Sequence, residues 1–556
     1  MAQGLCRGDR FDLRGLLVRT GRTRHQRHAR RPVVGSRSSY PRGLCGDGAG
    51  RRARIRSSAG KARAHPRDHR AVILLAGLLA ATIVLTPQGA LRGEVTADGR
   101  HLFRGIPYAA PPIGPLRWKS PQPMRRWQRP RDATKSAPSC PQVDRGWNTQ
   151  AANFASEDCL YLEVATPDLK PHKSLPVMVW IHGGSNYAGG GAGTIQSGLV
   201  RNGVVLVSMQ YRLGALGFLS HPALTREGNG ASGNYGLMDQ QAALRWVRAN
   251  IAAFGGDPTN VTLFGESAGA MDVGLHLLSP GSRGLFAKAI EESGTPGFGS
   301  PPRSLAENER LGTLIAVKAG IPQTTAALRA LPVAKLIEAT EAVEVPGLAD
   351  KSFIWLQAVV DGRVLTESPA ASLVKGGNPA PLIVGSNARE LTLHGGVARA
   401  DDAIAEAFGN NAAIARKVYG VDTIPVADPR LGDLDLILSN DITFRCPVTT
   451  IAAARTRAGQ PVWQYQFDYS APDGKPVTHG SEIRYVMTSA QDLELGAPPM
   501  QAYWLAFART GDPNAVGLPA WKRFDLATKS YLGFVNGGPQ PGADLRGEVC
   551  GLRSAP

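Results

Sequence analysis

The sequence predicts an α/β fold: a mainly parallel central sheet flanked by helices, in a single large domain. Three observations point there. Apolar runs such as Val177–Ile181 (VMVWI) and Val204–Met209 (VVLVSM) are too short for buried helices and continuous enough for strands covered on both faces. Helical spacing alternates with them, as in Asp239–Asn250, where Ala243, Trp246 and Val247 share one face. From about Pro87 onward the chain shows no repeats, no heptads and no long linker.

Residues 1–70 stand apart from this pattern. They hold 19 of the 63 Lys+Arg but only 4 of the 45 Asp+Glu, a net of +15, which leaves 44 against 41 for the rest of the chain. The formal charge of +18 therefore belongs to one segment, and the nearly neutral body argues against a nucleic-acid partner. Rich in Arg, Gly and Ser and without apolar periodicity, residues 1–70 are expected to be disordered. They read either as a basic arm for anionic partners or, preferably, as an extension from a start site placed too far upstream. The preference rests on the next segment.

Ala71–Leu85 (AVILLAGLLAATIVL) follows Arg67 and Arg70. Its length falls short of the roughly 20 residues that span a bilayer as a helix. It matches the apolar core of an export signal behind a positive stretch. A signal-like segment is expected at 71–86; Ala80 or Ala81 could end it, although no clean A-x-A site follows. The folded domain is then expected over 87–556, secreted or periplasmic, without stable membrane insertion after signal removal. A membrane anchor formed by 71–85 is the alternative. Cys6 and Cys45 lie in the basic segment, whereas Cys140, Cys159, Cys446 and Cys550 lie in the body. An even count behind an export signal reads as two disulfides, with three pairings open. No CxxC and no Cys/His cluster occurs, so no metal site is expected.

The chemistry is expected beyond the carboxyl ends of the strands. Val261–Phe264, reached from the turn Gly255-Gly256-Asp257-Pro258, runs directly into Gly265-Glu266-Ser267-Ala268-Gly269 and a helical stretch to Leu278. This is G-x-S-x-G between a strand and a helix, the setting in which a sharp turn lifts a serine hydroxyl above the sheet. Ser267 is the candidate nucleophile. The strand Val177–Ile181 ends in His182-Gly183-Gly184-Ser185-Asn186, a Gly-rich turn able to present N–H groups to an oxyanion. No Lys-Ser/Thr follows it, which removes the phosphate-loop reading; His182 is expected to orient the loop.

A hydroxyl nucleophile needs a base, and the base needs a carboxylate to fix its tautomer. His276, His394 and His479 follow Ser267. His276 lies on the nucleophile's own helix, more than two turns away, and reads as a satisfied helix histidine. His394 is an i,i+4 neighbour of Glu390, just after the strand Leu382–Val384. His479 lies in a loop after the strand Val462–Phe467. The order Ser…acid…His makes Ser267, Glu390 and His479 the economical triad, while spacing alone leaves the rival histidines open.

These residues resemble the type B carboxylesterase family, which includes carboxylesterases and cholinesterases and has the α/β-hydrolase fold. The likeness extends from about Pro87 to Gly551. It is carried by Phe103-Arg104-Gly105-Ile106-Pro107-Tyr108 with Pro111-Pro112, by Ser156–Leu162 (SEDCLYL), by Asn234–Leu237 with Asp239-Gln240, by Phe254–Pro258 before the turn, and by Gly511–Asn514 (GDPN). The resemblance implies Ser267 as nucleophile, Glu390 in GSNARE as acid and His479 in HGSEIRYV as base. It also implies oxyanion donors on the amides of Gly184, Ser185 and Ala268, supports Cys140–Cys159 and agrees with Cys446–Cys550. It implies hydrolysis of a small-molecule ester with no metal or cofactor. It places Ser352–Trp355 near the acyl pocket, where Phe353 and Trp355 could limit acyl size or be ordinary core. Trp147 could face the gorge or cap its loop. The chain departs from the family in Ser185, where a third Gly is usual, and in Asn186, where an aromatic is common. Both are expected to add polar groups beside the acyl site. Asp272 stands on the nucleophile helix where a small or apolar residue is expected, with no partner visible in the sequence. Amide or carbamate hydrolysis with the same triad is a competing function, and a non-catalytic binding module is a weaker one.

Overall fold

In a computed structural model of the chain, residues 81–297, 299, 303–345, 354–356, 359–423 and 427–553 are described. The chain divides into Met1–Leu74 and Leu75–Pro556, and all described residues belong to the second unit. The basic segment, residues 71–80 of the signal-like run, and Phe353 lie outside the described residues.

The strands are β1 (Ala81–Thr86), β2 (Gly89–Val95), β3 (His101–Pro107), β4 (Arg131–Asp132), β5 (Tyr161–Thr166), β6 (Leu175–Ile181), β7 (Val205–Met209) and β8 (Gly256–Glu266). They continue with β9 (Lys288–Glu292), β10 (Arg303–Ser304), β11 (Val359–Val360), β12 (Leu382–Asn387), β13 (Val462–Asp468), β14 (Ser530–Val535) and β15 (Gly538–Ala543). One large sheet has the order β1-β2-β3-β5-β7-β6-β8-β9-β12-β13-β14-β15, with β4 beside β2; β10 and β11 form a separate pair. Its centre, from β7 through β14, is parallel, and antiparallel pairs close both ends. This is the mainly parallel sheet the sequence predicts.

Alternation along the strands feeds two cores. Val177, Val179 and Ile181 of β6 belong to one, and Met178 and Trp180 to the other. Leu382 and Val384 of β12 likewise face opposite to Ile383. Both faces are covered, as a parallel sheet requires. The helix Tyr235–Asn250 is anchored to the chain after β7 by a buried fork in which Arg212 Nε and Nη2 each donate to Asp239 at 2.7 Å. Cys140–Cys159 and Cys446–Cys550 are disulfides. The second ties the short helix Gly547–Cys550 to the helix Cys446–Arg457, beside a smaller apolar cluster built around Phe408, Tyr419 and Ile437. No helix among the described residues is long and apolar enough to cross a membrane.

One boundary moves. The end of the apolar run read as a signal is the strand β1, which pairs antiparallel with β2 from Ala81↔Glu94 to Thr86↔Gly89. The folded domain thus includes β1, ahead of the expected start at Pro87. The cause is local: Thr82, Ile83, Val84 and Thr86 are β-branched and favour the extended chain. Val84 is buried while Ile83 and Leu85 point outward, the alternation of a strand at a sheet edge.

Candidate active site

Between β8 and the helix Ala268–Leu278, Ser267 sits at φ 58°, ψ −126°. For a residue with a Cβ, such a conformation costs about 1–3 kcal/mol and persists only where its surroundings enforce it. Here Ser267 N donates to Glu292 O at 2.9 Å, and Met271 N donates to Ser267 O at 3.0 Å. The flanking glycines are required by close approach. A Cβ on Gly265 would fall 2.6 Å from Gly269 C and from Ile181 O, and one on Gly269 would fall 2.1 Å from Ile181 O. The turn is therefore pressed against the end of β6, and Ser267 retains 9% of its surface exposed.

Neighbouring strands deliver the predicted acid and base. Glu390 follows β12, and its Oε1 accepts from Asn387 N at 2.5 Å. His479 lies in the loop after β13, and its Nδ1 is 2.7 Å from Glu390 Oε2. In the neutral imidazole this contact fixes the tautomer, with Nδ1–H donating to the carboxylate and Nε2 left to accept. Nε2 points to the turn after β8, 3.2 Å from Glu266 Oε1, in a geometry too bent for a hydrogen bond. No hydrogen bond joins it to Ser267 Oγ. Such contacts are often long in a ligand-free site and tighten once substrate is bound.

Around this pair the structure gathers acids. Glu482 accepts from Ser293 Oγ at 2.8 Å and from Asn387 Nδ2 at 2.5 Å. Burial alone would lower the His479 pKa. The carboxylates of Glu266, Glu390 and Glu482 outweigh it and hold the imidazole at about 9. Burial pushes Glu266 up to about 8 and Glu482 up to about 7. These groups titrate together, so the proton belongs to the cluster rather than to one residue. Ser293, Asn387 and Glu482 were not foreseen. Glu482 stands three residues after His479 within HGSEIRYV, and that spacing was the available signal.

The turn after β6 lies against the nucleophile: a Cβ on Gly183 would be 3.0 Å from Ser267 Cβ. Gly184, Ser185 and Asn186 all adopt positive φ, at 103°, 59° and 53°. The amide N–H groups of Gly184, Ser185 and Ala268 have no acceptor among the described residues. His182 stacks on Tyr211 with ring centroids 4.4 Å apart, and burial lowers its pKa to about 4, so it is neutral. The expectation for Asn186 is overturned. Its side chain is fully buried, donating to Asp272 Oδ1 at 3.1 Å and lying 3.2 Å from Tyr211 Oη, so it offers nothing to a substrate. The left-handed backbone turns it into the protein; Ser185 is half-buried.

Trp147 is 66% exposed, and its Cη2 lies 3.0 Å from the position a Cβ on Gly184 would take, so it stands over the turn. Trp355 is buried and lines a crevice of about 20 Å³ with Tyr187, Leu213, Leu216 and Leu336. The other histidines are elsewhere. His276 is buried between Ser282 Oγ and Gln240 Oε1, at 2.8 and 2.7 Å, with its pKa lowered by burial to about 3. His394 is exposed.

A mixed sheet with a parallel centre, bearing a strained serine between strand and helix and an acid–imidazole pair after later strands, is the α/β-hydrolase fold. The model of the Carboxylesterase family matches residues 80–418 and 433–547, and the chain belongs to that family. It is 36% identical to a fumonisin B1 esterase of Sphingopyxis macrogoltabida over 79% of this chain and 84% of that protein. It is 35% identical to a para-nitrobenzyl esterase of Bacillus subtilis over 79% and 92%. Among solved structures, a PNB esterase superposes with a TM-score of 0.73 at 30% identity, covering 85% of this chain and 99% of the other. A carboxylesterase of Geobacillus stearothermophilus superposes with a TM-score of 0.72 at 31% identity, covering 85% and 100%. The protein is a carboxylic ester hydrolase acting on small-molecule esters. The family match begins at residue 80, alongside β1.

Proposed function

We propose that the protein cleaves carboxylic esters through a Ser267–His479–Glu390 triad and an acyl-enzyme. His479 Nε2 takes the hydroxyl proton as Ser267 Oγ bonds to the ester carbonyl carbon, and the carbonyl π pair moves onto oxygen. The N–H groups of Gly184, Ser185 and Ala268 receive that oxyanion, aided by the helix N-terminus at Ala268. As the tetrahedral species collapses, the bond to the leaving alkoxide breaks and His479 protonates it. Water then repeats both steps on the acyl-enzyme and frees Ser267. Glu390 orients the imidazole and stabilises the imidazolium that forms.

The observation that carries this reading is the 2.7 Å contact between His479 Nδ1 and Glu390 Oε2, with Nε2 turned toward the residue next to Ser267. The test is Ser267→Ala with a short-chain p-nitrophenyl ester and an organophosphate label. Hydrolysis and labelling both vanish while the thermal melt is kept; turnover at the wild-type rate refutes the assignment. Paired ester and anilide substrates separate esterase from amidase action. Two disulfides and the apolar stretch before β1 support an exported protein. Residues 1–70 are then an extension that the exported form lacks, which mass analysis of its N-terminus checks.

A further inference from the structure

Asp272 is fully buried on the helix that starts at Ala268, and no cation acts on it. Two donors meet its carboxylate: Asn186 Nδ2 at 3.1 Å on Oδ1, and Gln240 Nε2 at 2.6 Å on Oδ2. The carboxylate, which only accepts, orders the buried chain behind it. Gln240 Nε2 donates to the Asp272 carboxylate, so Gln240 Oε1 faces His276 Nε2 as an acceptor. His276 Nε2–H then donates to Gln240 Oε1, and its Nδ1 accepts from the Ser282 hydroxyl. Asp272 is thus the acceptor that terminates the chain Ser282–His276–Gln240. On the other side, Tyr211 Oη donates to His182 O at 2.8 Å, and the carboxylate itself holds the Asn186 amide nitrogen toward it.

Asn186 closes a turn whose three residues all have positive φ, two of them with side chains. Such a backbone needs outside support. Asn186 O accepts from Gly214 N at 2.7 Å, and its side chain is gripped by Asp272. We propose that Asp272 is a positioning residue for the oxyanion site. Its carboxylate, through the Asn186 amide, pins the Gly184–Ser185 turn to the helix beginning at Ala268. Amide donors carried by two separate elements thereby keep one geometry. The inference rests on the assignment of Ser267 and those donors made above. Hydrogen bonds to a charged acceptor are roughly twice as strong as neutral ones, which is what a carboxylate adds here over the small residue expected at this position. The titratable groups facing it are neutral around pH 7: Tyr211 is raised well above its usual range, and His276 is lowered to about 3. Burial pushes Asp272 up to about 7, so an assay at about pH 8 reads mainly the carboxylate.

The test compares Asp272→Asn, Asn186→Gly and the double variant. Glycine retains the left-handed backbone while removing the side-chain tie. The readouts are kcat and KM for a p-nitrophenyl ester and the inhibition constant of trifluoromethyl butyl ketone. Ser267 Oγ adds to the ketone carbonyl carbon, the π pair becomes an oxyanion, and the hydroxyl proton passes to His479. We expect each variant to lose about 10- to 100-fold in kcat, with KM unchanged within about twofold. Ketone affinity should fall by the same factor as kcat/KM, and the double variant should lose no more than the worse single one. Wild-type kcat and ketone affinity in either variant, or losses that multiply, overturn the proposal. If Asp272→Asn does not fold, Asn186→Gly decides alone. If Ser267→Ala binds the ketone as tightly as wild type, the catalytic assignment fails first and takes this inference with it.

Discussion

On the proposed assignment, replacing Glu266 by Gln removes the carboxylate nearest to Nε2 of the general base while preserving its shape. Glu266 Oε1 lies 3.2 Å from His479 Nε2 and, with Glu390 and Glu482, raises that imidazole to about 9 against its burial. At that separation, the bare attraction is about 5 kcal/mol for an effective dielectric of about 20. This is an upper bound, because Glu266 itself ionises only near 8 and is largely neutral below that pH. Opposite charges at such range shift a pKa by about 1–3 units. The neutral imidazole is the competent base, so kcat/KM rises with pH through the titration of the cluster. In Glu266→Gln, that limb should move to lower pH by about 1–3 units. The assay is a pH-stat measurement of acid released from a short-chain ethyl ester, which avoids a leaving group that titrates in the same range. A limb that stays in place, or moves to higher pH, would refute an imidazole governed by Glu266.

Two further outcomes follow from burial and cross-linking. Glu291 is fully buried with both carboxylate oxygens lacking partners among the described residues, and desolvation raises its pKa to about 8. The folded state then binds this proton more tightly than the unfolded state. Its contribution is full below about 4.5 and is lost as pH rises toward 8, a difference of about a few kcal/mol. Glu291→Gln should therefore flatten the fall in melting temperature between pH 5 and 9, and an unchanged slope counts against it. Removing the Cys446–Cys550 disulfide, which spans 104 residues, with the double change to Ser should lower the unfolding free energy by about 2–5 kcal/mol in urea. A loss below about 0.5 kcal/mol would mean that the C-terminal helix is held by packing alone.

Much of the sheet was legible in the sequence because its central strands are continuous apolar runs. β6, β7, β12 and β13 fall within a few residues of their expected positions, and the helix Tyr235–Asn250 extends the expected one at its start. Two strands escaped for opposite reasons. β1 was hidden because its β-branched residues extend an apolar run that also reads as an export signal, and composition cannot tell the two apart. β9, Lys-Ala-Ile-Glu-Glu, has a charged majority, yet all five residues are buried between β8 and β12. No hydropathy pattern marks such a strand. Its acids are affordable only because tertiary structure keeps them protonated or supplies a donor, as Trp504 Nε1 does for Glu292 Oε1 at 2.7 Å.

The site divides along the same line. Ser267, Glu390 and His479 are each marked by a local cue, a turn between strand and helix or a short motif after a strand. The structure brings Glu390 to His479 and turns the imidazole toward the Ser267 turn. What the cues could not convey is the support. Asn186 and Asp272 look in sequence like unrelated polar departures, 86 positions apart, yet each supplies the partner that makes the other tolerable in an apolar interior. A buried carboxylate without a cation destabilises the fold, and an asparagine in a left-handed turn is strained; joined, they become a brace between the two elements that must meet at Ser267. The pair is best understood as one feature, because changing Asn186 alone would leave Asp272 buried with Gln240 as its single donor.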